Sequence, residues 1–192
     1  MPHESIKIST VILAGGRATR MGGADKGLVI LNGQPLVVWV LNHIRHQSDE
    51  ILISANRNLE QYAHYGFPVI SDKIEGFQGP LAGLHSAMLT AHHDLILSVP
   101  CDTPFLPDNL VTKLYEALTG ENAQIAMPSA GGRTHHAIML CRRELASDLA
   151  AYLASGERKV MAWQAKHTHA IVPFDDATAF NNFNTLEDLS NF

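Results

Sequence analysis

Near its start the chain reads IKISTVILAGGRATRMGGADK, over residues 6–26. The apolar run at residues 6–13 predicts a buried first strand, and the glycines after it predict an anion-binding loop. Because glycine has no Cβ, the main-chain amides of Gly15 and Gly16 can approach an anion closely. The same loop carries three cations, Arg17, Arg20 and Lys26. Cations beside such amides suit a polyphosphate, so the loop predicts a nucleoside triphosphate as ligand.

Two common glycine motifs do not fit this loop. A Walker A motif needs a hydroxyl residue after its lysine, whereas Gly27 follows Lys26. A dinucleotide-binding fingerprint needs the pattern G-x-G-x-x-G, and Arg17 directly after the first glycine pair breaks it. This argues against a Rossmann oxidoreductase. The ordinary structural alternative is a glycine-rich turn with solvated basic side chains, which two glycine pairs and three cations in one loop disfavour.

Apolar runs alternate with helical patterns along the chain. This alternation predicts an α/β fold, a doubly wound and mostly parallel sheet with helices on both faces. The predicted strands are residues 7–13, 50–54, 68–70, 95–99, 124–128, 137–141 and 169–173, with a short strand and turn at 28–34. The predicted helices are residues 35–46, 59–65, 80–92, 107–118, 142–155 and 160–166, followed by a terminal helix after Asn184 that Thr185 caps. In such sheets, ligands bind beyond the carboxyl ends of the strands.

Composition limits the class of protein. The 192 residues are 17% charged and 46% hydrophobic, as in ordinary globular proteins. We expect a single domain over residues 1–192, because no linker-like segment divides the chain. No apolar run is long enough for a membrane span, and two cysteines provide no disulfide framework, so we expect a cytoplasmic protein. The net charge of −5 argues against nucleic acid as a partner.

A carboxylate follows the most apolar predicted strand, in the stretch VPCDTP at residues 99–104. Asp102 lies between two prolines at the carboxyl end of this strand and is therefore directed toward the ligand crevice. Its hard oxygens suit Mg²⁺, which usually takes one or two protein carboxylates together with water and phosphate. The alternative is that Asp102 caps the helix predicted from Pro107 or forms a turn. Cys101 is expected to be a small core residue without a catalytic role.

The loop pattern L-A-G-G-x-x-x-R-M-G-x-x-K resembles the signature of sugar-phosphate nucleotidyltransferases and their relatives. The second glycine pair, followed by Asp25 and Lys26, most resembles the MobA family, the molybdenum cofactor guanylyltransferases. PCDTP at residues 100–104, GPLAG at 79–83 and FNNFNT at 180–185 also resemble motifs of this family. The resemblance extends in ordered segments from residue 12 to residue 189 and implies a Rossmann-like nucleotidyltransferase fold.

This resemblance implies transfer of GMP from Mg²⁺-GTP to the terminal phosphate of molybdenum-loaded molybdopterin, with release of pyrophosphate. Lys26, Arg20 and Asp102 would be catalytic, and Asp102 would hold the metal. The GTP site would comprise Leu13, Ala14, Gly15, Gly16, Lys26, Ser54, Asp72, Gly79 and Asp102. The acceptor site would comprise Arg133, His135, Arg158, Asn182 and Asn184. The N-terminal half of the domain would thus bind GTP, and the C-terminal half would bind molybdopterin.

The choice of base is expected to depend on Asp72. A carboxylate can accept hydrogen bonds from both N1–H and the 2-amino group of guanine, and cytosine has no such edge. Without the family resemblance, a solvated surface carboxylate would be the better explanation of this residue. Ser54 departs from the family pattern, in which asparagine is expected, so nucleoside contact at this position is in doubt.

The acceptor side also departs from the family pattern in places. The amides of Asn182 and Asn184 suit a pterin because they offer donors and acceptors together, although asparagines also form turns and caps. Two prolines of the family pattern are replaced, by His136 and Leu186. Adjacent histidines in a strand point to opposite faces, so His135 and His136 are not expected to share a metal.

Three alternatives stay open. A cytidylyltransferase could act on the same acceptor, and another small nucleotidyltransferase could act on a sugar or polyol phosphate. A protein of a different class, a carrier or sensor, would bind GTP without releasing pyrophosphate and would not need Asp102.

The family resemblance further implies transient contacts with other cofactor-assembly proteins.

Overall fold

The fold is seen in a computed structural model that describes residues 7–15, 25–73 and 79–183. Its strands are β1 (Ile8–Leu13), β2 (Ile30–Leu31), β3 (Gln34–Pro35), β4 (Glu50–Ser54), β5 (Val69–Ile70), β6 (Leu95–Pro100), β7 (Ile125–Ala130), β8 (Arg133–Thr134), β9 (Met139–Arg142) and β10 (His169–Pro173). Its helices are α1 (Leu36–Ile44), α2 (Leu59–Ala63), α3 (Pro80–Thr90), α4 (Leu110–Gly120), α5 (Ala146–Ala154) and α6 (Val160–Gln164). Short 3₁₀ helices lie at Lys26–Leu28, Arg143–Leu145 and Thr178–Phe180.

Eight of the strands form one sheet, in the order β10-β7-β9-β6-β1-β4-β5, with β8 beside β7. The pairs β1–β4, β1–β6, β4–β5 and β7–β10 are parallel. These pairings confirm the predicted doubly wound, mostly parallel α/β fold. The chain leaves β1 toward β4 and β5 and then returns to place β6 on the other side of β1. A crevice is expected at the carboxyl ends of β1 and β6, where the winding reverses.

Two strands of the large sheet differ from the expected parallel arrangement, and the first is the short β8, which runs antiparallel to β7. The second, β9, runs antiparallel to both of its neighbours, β6 and β7. Only residues 131–138 connect β7 to β9, and a parallel connection needs a crossover of about a dozen residues or more. The chain therefore reverses through Gly131 and Gly132, whose φ angles are +57° and +77°. Strand β9 also begins two residues later than predicted, at Met139.

Helices cover both faces of the sheet. Successive residues of β1 point to opposite faces, so Ile12 packs in one core cluster and Val11 in the other. The first cluster also receives α1, α4 and Tyr62 of α2. The second receives α3, α5 and Trp163 of α6. Burial on both faces explains why strands such as β6 are continuous apolar runs.

The segment predicted as a short strand and turn is a hairpin of β2 and β3. Asn32 and Gly33 form its two-residue turn with φ angles of +48° and +83°, which is typical of such hairpins. Pro35 pairs with Ile30 in this hairpin. Helix α1 therefore begins at Leu36 and not, as predicted, at Pro35.

Two later helices also start after their predicted residues. Pro107 precedes α4 in a turn in which its carbonyl accepts the N–H of Leu110 at 3.1 Å. Arg142 ends β9, and a 3₁₀ helix separates it from α5, so the segment at 142–155 is not one helix. Gly156 follows α5 with φ of +86°, as expected for a glycine that ends a helix.

The expected terminal helix after Asn184, with Thr185 as its cap, lies outside the described residues. Among the helices in the described part of the chain, none combines the length and the apolar character that crossing a bilayer requires.

Candidate active site

A cavity of about 310 Å³ lies at the carboxyl ends of β1, β4, β5 and β6. Its walls are formed by Leu13, Ala14, Gly15, Lys26, Ser54, Asp72, Gly79, Pro80, Gly83, Pro100, Cys101, Asp102, Ala137 and Asn182. All the GTP-site residues predicted from the sequence line this cavity, apart from Gly16, which lies outside the described residues. Arg20 and Asn184 also lie outside them. The cavity is therefore the candidate active site.

A larger, more open depression of about 980 Å³ lies where β6 begins and β9 ends. Several of its polar side chains are already paired. The ring of His92 bonds to Glu50, and Asp94 accepts from Arg143 at 3.0 Å. None of the residues predicted for the site lines it, so the chemistry is assigned to the smaller cavity.

The ends of three strands are joined at the cavity floor. The N–H of Ala14 donates to the carbonyl of Ser54 at 2.8 Å, and the N–H of Cys101 donates to that of Leu13 at 3.1 Å. These bonds continue the sheet ladder beyond β1 and fix the start of the glycine loop. A Cβ on Gly15 would lie 3.1 Å from Nδ2 of Asn56. Glycine therefore lets the loop lie directly against that amide.

Lys26 and Asp102 meet in the cavity, as their predicted catalytic roles require. The Lys26 Nζ lies 3.2 Å from Oδ2 of Asp102, and the two side chains are 26% and 11% exposed. Asp102 does not cap α4, because that helix begins at Leu110 after Asn109. Asp102 thus places a carboxylate, and Lys26 a cation, on the wall of a cavity large enough for a small anionic ligand.

The turn that carries Lys26 is anchored by its neighbour Asp25. The Asp25 carboxylate is buried, with the residue 9% exposed. It accepts hydrogen bonds from the Tyr62 hydroxyl at 2.5 Å and from Nδ2 of Asn58 at 3.0 Å. Burial is the main cause that raises the pKa of Tyr62, and nearby charges add to it. The phenol therefore stays protonated and donates to Asp25.

Cys101 is a neutral thiol beneath the site. Burial raises its pKa well above the usual value, the charges of Asp102 and Asp25 raise it further, and Lys26 opposes them only in part. Since the thiolate is the nucleophilic form of cysteine, these effects give no reason to assign Cys101 a catalytic role. The burial of Cys101 agrees with the core position predicted from the sequence.

Ser54 and Asp72, both predicted for the GTP site, line the cavity together with the start of α3. A Cβ on Gly83 would lie 2.6 Å from Oγ of Ser54 and 2.8 Å from Cδ2 of Leu13. Glycine at this position therefore lets α3 pack directly on the ends of β1 and β4. Burial raises the pKa of Asp72, and a hydrogen bond from Asn56 lowers it in part.

On the acceptor side, Asn182 is the one predicted residue that lines the cavity within the described part of the chain. Its Oδ1 accepts from the Thr103 hydroxyl at 2.8 Å. The next residue, Phe183, donates its N–H to the carbonyl of Asp102 at 2.9 Å. These bonds join the segment before Asn184 to the loop that carries the candidate metal ligand.

The other predicted acceptor residues lie beyond the cavity wall. Arg133 is exposed on β8, and Arg158 is exposed between α5 and α6, where Nη1 donates to the carbonyl of Gly156 at 2.6 Å. His135 stacks on Phe180 with ring centroids 4.8 Å apart. Burial, followed by the charge of Arg133, lowers the pKa of His135. Their roles in acceptor binding stay predictions.

His135 and His136 have different partners, as expected for adjacent residues. Nδ1 of His136 lies 2.7 Å from Oε1 of Gln164, while His135 contacts Phe180. Within residues 7–15, 25–73 and 79–183, no group of three or more histidine, cysteine, aspartate or glutamate side chains could hold a metal ion.

Sequence reasoning assigned no individual role to three residues that shape the site. Asn56 contacts Asp72, Thr103 contacts Asn182, and Tyr62 contacts Asp25. A role for Asn56 could have been predicted, because it lies two residues after Ser54, the last residue of β4. Tyr62 shows only the helical apolar pattern of a core residue, so its link to the site depends on the tertiary structure.

Comparison with known proteins gives four findings. The sequence model of the MobA-like NTP transferase domain matches residues 10–170 of the chain. A Shewanella putrefaciens protein named molybdenum cofactor guanylyltransferase is 45% identical over 188 residues, covering 97% of this chain and 96% of that protein. A Burkholderia ambifaria protein of the same name is 47% identical over 195 residues, covering 97% of this chain and 95% of that protein. The crystal structure of molybdopterin-guanine dinucleotide biosynthesis protein A from Archaeoglobus fulgidus shares the fold, with a TM-score of 0.79 at 23% identity over 95% of each chain.

Proposed function

This chain belongs to the MobA-like NTP transferase family and is a nucleotidyltransferase, and we propose that it transfers GMP from GTP to the terminal phosphate of molybdenum-loaded molybdopterin. The observation that carries the proposal is the meeting of Lys26, Asp102 and Asn182 in one cavity. The Lys26 ammonium and the Asp102 carboxylate would bind the triphosphate and its metal. The Asn182 amide beside them would bind a second substrate. The names of the relatives support guanine as the base and molybdopterin as the acceptor.

The reaction requires one bond to form and one to break. An oxygen of the acceptor phosphate attacks the α-phosphorus of GTP, and the bond from that phosphorus to the bridging oxygen of the β-phosphate breaks. Pyrophosphate leaves with the electron pair. The attacking oxygen is already ionised, so no proton has to be removed and no strong general base is needed. Catalysis therefore depends on alignment and on stabilisation of charge.

Lys26 supplies the stabilising charge. Its ammonium group lies on the cavity wall and can donate to phosphate oxygens that gain charge during the transfer. Asp102 holds this group at 3.2 Å, and the buried Asp25 fixes the turn from which the side chain extends. A cation held in place beforehand needs little rearrangement during the reaction. Arg20 belongs to the same proposal, from the sequence alone.

Asp102 fits a role as the protein ligand of Mg²⁺. Its carboxylate lines the cavity, and Mg²⁺ commonly takes a single protein carboxylate together with water and substrate phosphates. No larger cluster of ligands exists in the described ranges, so the phosphates of GTP would complete the site. When bound, Mg²⁺ would offset the negative charge of the triphosphate.

The division of the site follows the order of the chain. Gly15, Ser54, Asp72 and Gly79 come from the N-terminal half and would surround the nucleotide. Asn182 comes from the C-terminal end and would meet the pterin, with Asn184, Arg133, His135 and Arg158 completing the acceptor site. This division, the single domain over residues 1–192, a cytoplasmic location and transient contacts with cofactor-assembly proteins belong to the same proposal.

The strongest competing function is cytidylyl transfer to the same acceptor. Asp72 favours guanine, because its carboxylate can accept from both N1–H and the 2-amino group. A GTP-binding carrier or sensor would need neither a metal carboxylate nor an acceptor amide. The positions of Asp102 and Asn182 on one wall therefore favour an enzyme.

The test is an assay with the purified full chain, molybdenum-loaded molybdopterin, Mg²⁺ and GTP labelled at the α-phosphate. We expect label in a dinucleotide product and one pyrophosphate for each product formed. Binding of GTP without pyrophosphate release, with any acceptor phosphate, would instead support the carrier. A parallel reaction without acceptor measures background hydrolysis.

A further inference from the structure

The side-chain amide of Asn56 makes two hydrogen bonds to Asp72. Its Oδ1 accepts from the Asp72 main-chain N–H at 3.0 Å, and its Nδ2 donates to Oδ2 of the Asp72 carboxylate at 2.8 Å. The first bond requires an oxygen at one end of the amide, and this assigns the nitrogen to the other end. The amide thus contacts both the backbone and the carboxylate of one residue, which limits rotation of that carboxylate.

Asn56 is itself held by the sheet. The preceding residue, Ala55, donates its N–H to Ile70 at 2.9 Å and accepts from the Ser71 hydroxyl at 3.1 Å. These bonds extend the parallel pairing of β4 and β5 beyond both strands. The amide of Asn56 also packs beneath Gly15, where an added Cβ would lie 3.1 Å from Nδ2. Asn56 thus follows directly on a residue that is hydrogen-bonded to the β5 segment, and its amide lies against Gly15.

Asp72 lines the cavity, whereas Asn56 is not part of its wall. Of the two cavity residues that Asn56 contacts, Gly15 and Asp72, only Asp72 is proposed to meet the base, so we expect Asn56 to affect base choice through the Asp72 carboxylate. Guanine presents two adjacent donors, N1–H and the 2-amino group, and a carboxylate meets both only when it is ionised and correctly rotated. The hydrogen bond from Asn56 favours both conditions, since it fixes one oxygen and lowers the Asp72 pKa that burial raises.

We propose that Asn56 is a positioning residue that orients the Asp72 carboxylate and thereby sets the preference of the site for guanine. The inference rests on the proposed guanylyl transfer and deepens it. Asn56 contacts neither Lys26 nor Asp102 in the described hydrogen bonds, so its removal should weaken base recognition and not the transfer step.

The experiment compares GTP with inosine triphosphate, which keeps N1–H and lacks the 2-amino group. Binding of each nucleotide to the full chain is measured by calorimetry without acceptor, and steady-state kinetics are measured with acceptor. We expect the unaltered protein to prefer GTP by about tenfold or more. Asn56→Ala should reduce this preference to about threefold or less, while kcat at saturating GTP changes by no more than about threefold.

Two further variants separate positioning from a merely structural role. Asn56→Asp keeps an oxygen for the Asp72 N–H but loses the donor to the carboxylate, so it should lose the preference as Asn56→Ala does. Adding Asn56→Ala to Asp72→Ala should cause no further loss of the preference for GTP. The carboxylate through which Asn56 acts is already absent in the Asp72→Ala protein. Arg57→Ala is the matched control, since this side chain is exposed in the same loop and should leave the preference unchanged.

The outcomes distinguish the two proposals. If the unaltered chain transfers GMP with a preference for GTP, and Asn56→Ala keeps that preference, the inference about Asn56 is overturned and the proposed function stands. A fall in kcat or in melting temperature with an unchanged preference also overturns it, because that is a structural effect. If the unaltered chain shows no transfer from GTP, the proposed function fails first.

Discussion

The ammonium nitrogen of Lys26 lies 3.2 Å from Oδ2 of Asp102, although 76 positions separate the two residues in the chain. One residue starts a 3₁₀ helix after the glycine loop, and the other follows β6. The fold brings them together because β1 and β6 are parallel neighbours whose carboxyl ends meet. The cation proposed to bind phosphate and the carboxylate proposed to bind metal are therefore in direct contact.

Replacing either residue should stop the reaction without unfolding the protein. We expect Lys26→Ala to lower kcat about 10²–10³-fold, as loss of a donor to developing charge does in other enzymes. Asp102→Ala should abolish Mg²⁺-dependent transfer. The stability cost of losing this partly exposed ion pair should be about 1 kcal/mol or less. Kinetics and denaturant unfolding of both variants check this, with Lys166→Ala as a control; retained turnover in Asp102→Ala would refute the metal assignment.

Gly83→Ala should destabilise the fold and weaken GTP binding together. The new methyl group would lie 2.6 Å from Oγ of Ser54 and 2.8 Å from Leu13, so α3 would have to move away from two cavity residues. Such overpacking typically costs about 1–3 kcal/mol. Gly79→Ala is the matched control for stability, because a Cβ there meets nothing within 4 Å. Equal melting temperatures for the two variants would contradict this packing.

Gly27→Ala should destabilise the fold because of a clash with one atom of Tyr62. A Cβ on Gly27 would clash with the Tyr62 hydroxyl, while the nearest ring carbons lie at 3.2 Å. Tyr62→Phe alone should cost about 1–3 kcal/mol, since it removes a donor from the buried Asp25 carboxylate. The double variant should therefore lose less stability than the two single variants lose together. Strict additivity in denaturant unfolding would show that the clash is not with the hydroxyl.

Binding of GTP should weaken in mildly acidic solution because of Asp72. Burial raises the pKa of this carboxyl above the usual aspartate value, and the Asn56 hydrogen bond offsets only part of that. Only the ionised form can accept from both N1–H and the 2-amino group of guanine, so the dissociation constant should rise as the pH falls through the raised pKa. Calorimetric titrations across pH measure it. Asp72→Asn is the control and should lack this dependence; an identical profile would exclude Asp72 as the titrating group.

The sequence predicted the sheet well because its central strands are buried on both faces. The strands at 50–54 and 169–173 have the predicted bounds, although β10, at the edge of the sheet, alternates between exposed and buried residues. The direction of β9 could also have been predicted, because eight residues are too few for a parallel crossover. The start of α4 was harder to predict from the sequence. Pro107 suits the first turn of a helix, but it is equally suited to a turn that precedes the helix.

The candidate site was predictable wherever its residues end a parallel strand. Ser54 is the last residue of one such strand, Gly15, Asp72 and Asp102 follow three others, and the fold brings all four residues to one cavity. The bond between Asn56 and Asp72 could not be predicted, because it depends on the register of β4 against β5. The distance of Arg133 from the cavity wall likewise depends on the antiparallel return of the chain into β9.

The most direct test of guanylyl transfer is a competition between equal concentrations of GTP and CTP. The full chain is supplied with molybdenum-loaded molybdopterin and Mg²⁺, and the dinucleotide product is identified by mass spectrometry. We predict a product that contains guanine, with the cytosine form at least about tenfold less abundant. A predominantly cytosine product, or two products in similar amounts, would contradict the assignment of guanine to Asp72.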